Sequence, residues 1–374
     1  MKYQNMKVIL CRMNNILLVA ITISISILIS AHSQAKPPNV QIVELYEKAK
    51  AGDKASLEIL FHNARKGNVD AQNGLALMYL NGTGVQNNYL EAFKWCLQAA
   101  QQGDPIAQSN LGTMYAQGLG VVRNDTEALN WFRKAAAQGN AQAKLSLGLI
   151  YTNGLGVVRD PTEGLNWTRK AAEQGLPIAQ NNLGSMYLDG IGTKRNYPEA
   201  VEWFRKAAIQ GLALAQYNLG VLYAEGQAVP KDVVQAASLY RSSAEQGLAQ
   251  AQYNLALSYA TGTGVKQNDR EAFEWFLKAA EQGYISAQNS LGAMYSMGRG
   301  VNIDLSNAYK WLTIAQIMAL PASIEFNDAT RNLSILSEHL LPQQQKKAQQ
   351  EAAKWVALFR DRELHRKISD YPFQ

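Results

Sequence analysis

The sequence predicts an all-α solenoid of helix-turn-helix repeats. Three ladders with a common step of 36 residues predict it. Tyr79, Tyr115, Tyr151, Tyr187, Tyr223, Tyr259 and Tyr295 form the first. Gly82, Gly118, Gly154, Gly190, Gly226, Gly262 and Gly298 form the second. Trp95, Trp131, Trp167, Trp203, Trp275 and Trp311 form the third, with Leu239 in the missing place. A fixed period of this size marks units too small to bury their own apolar faces, which must stack on neighbours.

The first residues fall outside the ladders. Lys2, Lys7 and Arg12 precede an uncharged apolar run from Ile16 to Ile29, and Ser33 and Ala35 have the spacing a signal peptidase prefers. Residues 1–35 therefore read as a cleavable signal peptide, with periplasmic or secreted destination and no stable membrane insertion after cleavage. The other reading is an uncleaved anchor, but the run is shorter than the ~20 residues that span a bilayer. The full chain carries 36 Lys+Arg against 30 Asp+Glu; without the three basic residues of the leader the balance is 33 against 30, or +3. So small a charge, with no basic–aromatic stripe, argues against nucleic acid. Cys11 leaves with the leader, so Cys96 stands alone and no disulfide framework exists. Beside Trp95 on a helix, Cys96 reads as a buried, inert thiol.

The unit from Gly103 to Gly139 shows how each element arises. Asp104-Pro105 reads as N-cap and first helical residue, where proline wastes no backbone donor. Helix A follows, with Ala107, Leu111, Met114 and Tyr115 on one face. Gly112 lies close to that face and admits a neighbouring helix. Gly118-Leu-Gly120-Val121 ends helix A and opens a loop. The loop closes on Asn124, and Glu127 three residues on predicts a reciprocal capping box. The box recurs at Asn88 with Glu91, Asp160 with Glu163, Asn196 with Glu199 and Asn268 with Glu271; Asp232 with Gln235 is a variant. Helix B then sets Ala128, Trp131, Phe132, Ala135 and Ala136 on one face, and the large indoles are expected to dominate the stacking.

The expected organisation follows. Residues 36–70 are a degenerate N-terminal capping repeat, with helical patterns at Val43 to Ala51 and Ala55 to Arg65. Residues 71–320 hold seven repeats. Residues 321–374 form C-terminal capping helices, near Asn327 to Leu340 and Pro342 to Arg362, and a loose tail. Terminal caps of this kind shield the outermost apolar faces.

These units resemble Sel-one-like repeats, relatives of the tetratricopeptide repeat with a longer loop between the helices. The resemblance rests on Ala-Gln-x-Asn-Leu-Gly-x-Met-Tyr at 107–115, Gly-x-Gly-Val at 118–121 and Glu-Ala-x-x-Trp-Phe-x-Lys-Ala-Ala-x-Gln-Gly at 127–139. It implies a right-handed α/α superhelix whose A helices line a concave surface, and a role as a protein-interaction scaffold. Some cysteine-rich members have β-lactamase-like activity, which leaves a hydrolase of cell wall or β-lactam as the alternative; this chain lacks their cysteine pairs.

A polar ladder on helix A is the candidate site for a protein or peptide partner. Asn110, Asn182, Asn218 and Asn254 share one register, and Tyr217 and Tyr253 precede the last two. An amide donates and accepts at once, which suits the backbone of an extended segment. The other reading is that these amides bond a neighbouring helix. No catalytic set, metal site or cofactor motif is expected: His62, His339 and His365 are not spaced as a metal pair, and no Gly-x-Ser-x-Gly elbow is present. The partner's identity and the oligomeric state are left open by the sequence.

Overall fold

The computed structural model describes residues 40–370, and side chains as far as residue 365. The expected signal peptide at 1–35 and the last four residues lie outside that range. The chain divides into two compact units, up to Arg195 and from Asn196. Among the described residues there are eighteen α-helices and no strand. The first unit holds α1 (Val40–Lys50), α2 (Lys54–Arg65), α3 (Val69–Asn81), α4 (Tyr89–Gln101), α5 (Pro105–Gln117), α6 (Asp125–Ala137), α7 (Ala141–Asn153), α8 (Pro161–Glu173) and α9 (Pro177–Asp189). The second holds α10 (Tyr197–Ile209), α11 (Ala213–Glu225), α12 (Val233–Glu245), α13 (Ala249–Thr261), α14 (Asp269–Glu281), α15 (Ile285–Met297), α16 (Leu305–Met318), α17 (Ile324–Ser337) and α18 (Pro342–Asp370). Within each unit a B helix packs on the A helix of its own hairpin and on the A helix that follows: α6 on α5 and α7, α12 on α11 and α13.

The caps sit where the sequence puts them. Asp104 accepts from the Ala107 amide at 2.7 Å, with Pro105 in the first helical position. Asn88, Asn124, Asp160, Asn196, Asp232 and Asn268 each accept from the amide three residues on. The reciprocal half of the expected capping box is replaced. The N-cap amide donates instead to the carbonyl of the ladder tyrosine: Asn88 to Tyr79 at 3.0 Å, Asn124 to Tyr115 at 2.9 Å, Asp160 to Tyr151 at 2.8 Å. The reason is that the last turn of helix A leaves carbonyls without helical partners, and the loop brings the next N-cap to one of them. Glu91 is thereby released to pair with Lys94 at 2.6 Å.

The tryptophans differ from expectation. Trp95, Trp131, Trp167, Trp203 and Trp275 are half-buried, and only Trp311, at 5 % exposure, is buried. The buried rung is the next residue: Cys96, Phe132, Thr168, Phe204, Tyr240, Phe276 and Leu312. This rung meets the helix A glycine. A methyl group built on Gly112 would lie 2.8 Å from the Phe132 ring, and one on Gly220 would lie 2.9 Å from Tyr240. The half-buried indoles instead carry lysines on their faces, with Nζ of Lys134 4.0 Å from the Trp131 centroid and that of Lys278 3.9 Å from Trp275. At the C-terminus, Trp355 packs edge-on to Trp311 with centroids 5.6 Å apart, and Phe359 stacks on Trp355 at 5.0 Å. This is why Trp311 alone is covered. Helix α18 outruns its expected end at Arg362 and continues to Asp370.

A glutamine ladder, unforeseen from the sequence, ties the repeats together. Gln108 Nε2 donates to the Ala100 carbonyl at 3.3 Å and its Oε1 accepts from Gln138 at 2.8 Å. Gln72 repeats this with Ala64 and Gln102, and Gln252 with Ala244 and Gln282. Each amide adds a second donor to a helix-terminal carbonyl that already accepts from the closing glycine amide, Gly67 on Ala64, Gly103 on Ala100 and Gly247 on Ala244. Lys144 takes one rung and donates to Gln174 Oε1 at 2.9 Å.

Candidate functional site

Buried faces of the A helices point into the stack; what they leave outside is a half-exposed stripe. In the first unit the stripe runs through Ile106, Asn110, Thr113 and Gln117 on α5, through Gln142, Ser146, Leu149 and Asn153 on α7, and through Ile178, Asn182, Ser185 and Asp189 on α9. The spacing is that of one helical face. Neighbouring A helices are held side by side: Asn73 Nδ2 donates to Asp104 Oδ1 at 3.0 Å, and Asn140 Nδ2 to the Pro105 carbonyl at 3.3 Å. Only Asp189 carries a charge in these three stripes. The surface is built from amides, hydroxyls and aliphatic groups.

The six predicted site residues fall into different situations. Asn110 and Asn182 are half-exposed on their stripes, and their side chains make no hydrogen bond with the described residues. Asn218 is half-exposed on α11. Asn254 on α13 is engaged: its side chain bonds the phenols of both Tyr217 and Tyr240. The pKa of each phenol is pushed up, chiefly by burial, and the Asn254 bond acts against that rise. The Tyr217 and Tyr240 rings lie 6.1 Å apart. Tyr253 requires a correction. It is 8 % exposed and packs on Phe276 at 5.5 Å and Tyr284 at 5.1 Å, so it is a core ring and not a surface anchor. Bulky neighbours at Phe276 and Tyr284 close over it, a packing that register alone does not reveal.

Sequence reasoning missed Tyr240, the residue that turns Asn254 inward. Its signal was present: Tyr240 is the one hydroxylated ring in a rung whose other rings are Phe132, Phe204 and Phe276. Cys96 is fully buried, its Sγ lies 3.3 Å from the Ala107 carbonyl, and burial pushes its thiol pKa far up. A thiol so held supplies no nucleophile. Among the described residues no group of three or more His, Cys, Asp and Glu side chains is arranged to hold a metal ion, and no helix is long and apolar enough to cross a membrane.

The Sel1 repeat family model matches seven consecutive windows: residues 69–104, 105–140, 141–176, 177–212, 213–248, 249–284 and 285–315. The chain belongs to the Sel1 repeat family. It is thus an α/α solenoid of the tetratricopeptide kind, and proteins of this family generally mediate protein–protein interaction. Each of the first six Sel1 windows contains one A helix and one B helix, and the seventh contains the A helix α15 and ends within the B helix α16. Among solved structures, the chain is 32 % identical to a Sel1 repeat protein from Oxalobacter formigenes, over 80 % of this chain and 91 % of that one, with a TM-score of 0.60. It is 29 % identical to c5321, a protective antigen present in uropathogenic Escherichia coli strains displaying an SLR fold, over 87 % of this chain and 85 % of that one, with a TM-score of 0.41. It is 21 % identical to the immunity protein Pa5087 from Pseudomonas aeruginosa, over 68 % of this chain and 84 % of that one, with a TM-score of 0.41. No curated protein matches the chain.

Proposed function

We propose that this Sel1 repeat protein is an exported, non-enzymatic scaffold that holds an extended segment of a partner polypeptide along the A-helix stripe of its repeats. One observation carries the reading: Asn110 and Asn182 present half-exposed amides, without a hydrogen bond among the described residues, in a single register of a nearly uncharged surface. An amide with both functions free can bridge the alternating donors and acceptors of an extended backbone. The aliphatic neighbours Ile106, Leu149 and Ile178 supply the apolar area that adds affinity. Export rests on the basic flank, apolar run and small residues of 1–35. The hydrolase alternative gains no support, since the mature sequence has one cysteine and it is buried.

Site-specific photo-crosslinkers at positions 110 and 182, with a control at Val158, test the reading. Val158 is 90 % exposed on a loop of the same unit. The expected result is a crosslinked partner from positions 110 and 182 and none from 158. Crosslinking at 158 alone overturns the surface. Export has a separate test, the intact mass of the exported protein, which is expected to begin at Lys36.

A further inference from the structure

Three Asn-Gly pairs occur in the sequence: Asn73-Gly74, Asn81-Gly82 and Asn153-Gly154. In such a pair the missing glycine side chain leaves the backbone nitrogen open to attack the asparagine side-chain carbon. All three asparagines lie on A helices of the first unit, Asn73 and Asn81 on α3 and Asn153 on α7. Their surroundings differ. Asn73 stands within the helix and its Nδ2 donates to Asp104 Oδ1 at 3.0 Å. Asn153 ends α7 half-buried, with Nδ2 on the Leu149 carbonyl at 2.9 Å. Asn81 ends α3 exposed, and its side chain makes no hydrogen bond among the described residues.

The turns after α3 and α7 share one backbone pattern. Gly82 and Thr83 both donate to the Met78 carbonyl, as Gly154 and Leu155 do to that of Ile150. One side chain ties each turn to the helix end, Asn87 to the Leu80 carbonyl and Arg159 to that of Thr152. The anchors differ. Leu155 packs against the buried cluster that holds Leu147 and Ile150. At the same register Thr83 buries its hydroxyl without a hydrogen-bond partner among the described residues. Opening the α3 turn gives that hydroxyl to water, whereas opening the α7 turn strips Leu155 of apolar contact. The α3 turn therefore opens at less cost, and opening is what frees the Gly82 nitrogen from Met78.

We infer that Asn81 is a modification site, converted by water to aspartate and isoaspartate. The Gly82 nitrogen bonds to Asn81 Cγ, and the side-chain nitrogen leaves as ammonia with the proton that the Gly82 nitrogen loses. Water then opens the resulting five-membered imide. Its hydroxyl adds to one of the two carbonyl carbons, and its proton returns to the ring nitrogen. Opening at the side-chain carbonyl gives aspartate, and opening at the main-chain carbonyl gives isoaspartate. Either product places a carboxylate at the C-terminal end of α3, where the helix dipole opposes negative charge. Isoaspartate also lengthens the main chain by a methylene and so removes the turn that caps α3.

The test is peptide mapping by mass spectrometry of the purified protein, held in mildly alkaline buffer made with heavy-oxygen water. Each conversion is then marked by one heavy oxygen. A parallel sample is held in urea, where the sequence acts without the turns. In the folded protein, conversion at 81 is expected to outpace that at 153 at least tenfold, with none at 73. In urea the rates at 81 and 153 are expected to agree within about twofold. Thr83→Leu, which supplies the anchor that Leu155 provides, is expected to slow conversion at 81 at least fivefold. Equal rates at 81 and 153 in the folded protein, faster conversion at 153, or no conversion at 81 while the urea sample converts overturns the inference. So does a tenfold difference that persists in urea, because the selectivity then lies outside the turn. A rate at 81 unmoved by Thr83→Leu in a folded variant overturns it as well. Where that variant fails to fold, the wild-type comparison of 81 with 153 decides. None of these results bears on the A-helix surface.

Discussion

The most decisive perturbation is at Ala228. In the loops between helices A and B, the second glycine of each Gly-x-Gly takes a left-handed conformation, as Gly264 does at φ +75°. The requirement is double there. A methyl group built on Gly264 would overlap the Val233 carbonyl oxygen and come within 3.1 Å of Ala237 Cβ. At the same register the fifth Sel1 repeat has alanine, and Ala228 still adopts φ +63°. Holding an L-residue in that region costs roughly 1–2 kcal/mol. Glycine gives back roughly 0.5–1 kcal/mol through its freer unfolded chain. Ala228→Gly should therefore stabilise the second unit by about 0.5–1 kcal/mol, a rise of about 0.2–1 M in the urea midpoint at typical slopes. Gly264→Ala runs the other way. It adds the same left-handed cost and an overlap worth about 1–3 kcal/mol, for a net loss of about 2–4 kcal/mol. Urea unfolding followed by far-UV circular dichroism, with hydrogen exchange of the amides at 226–232 and 262–268, reads both. A lower midpoint for Ala228→Gly, or an unchanged one for Gly264→Ala, refutes the argument that loop stacking depends on a side-chain-free residue at this place.

Three further outcomes are expected. Asn254→Ala leaves the Tyr217 and Tyr240 hydroxyls without their shared amide, so the urea midpoint should drop by the equivalent of about 1–3 kcal/mol and the phenol titrations should move further up. Lys144→Gln restores the amide rung to Gln174 and removes a cation whose pKa burial and Lys170 both lower, so stability at neutral pH should rise slightly, by no more than about 0.5 kcal/mol for a side chain largely screened by solvent, with the gain shrinking as alkali discharges the wild-type lysine. Asp269 is held below the ordinary aspartate range by Arg299, and Asp304 by the Asn307 amide. Since these folded-state pKa values lie below the unfolded ones, the stability they add is present at neutral pH and lost as pH falls through and below the ordinary aspartate range. Asp304→Asn should flatten that acid limb in urea midpoints measured across the range.

Much of the fold was legible because a repeat states the same thing seven times. The hairpins, their N-caps and the left-handed ends of the A helices all stand where the 36-residue step puts them. What a period cannot state is which way a helix turns. Trp131 and Phe132 are adjacent and both large, and either one could have faced the core. The rotation was decided by Gly112, whose missing side chain receives the Phe132 ring and so swings the indole outward under Lys134. The capping box was half legible. The side-chain half depends on local spacing alone, but the backbone half depends on where the loop returns, and it returns to the tyrosine carbonyl.

The candidate site shows the same limit more sharply. Asn110, Asn182 and Asn254 are equivalent in register, yet only Asn254 is consumed by the protein itself. The difference lies in two residues far from it in sequence: Tyr217 and Tyr240 supply hydroxyls at a place where the corresponding neighbours of Asn110 have none, Asn73 and Cys96 standing there instead. A polar ladder on a solenoid is thus available only where the preceding repeat has no use for it. The substitution that best separates binding from folding is therefore Asn110→Ala with Asn182→Ala, which removes amides that bond nothing among the described residues. Substituting Asn254 would change stability first and confound any loss of partner. With the double variant, partner crosslinking from position 146, which lies between the two amides on α7, should fall while the urea midpoint stays within about 0.5 kcal/mol of the parent. An unchanged crosslink yield would mean that the amides, though free, face nothing.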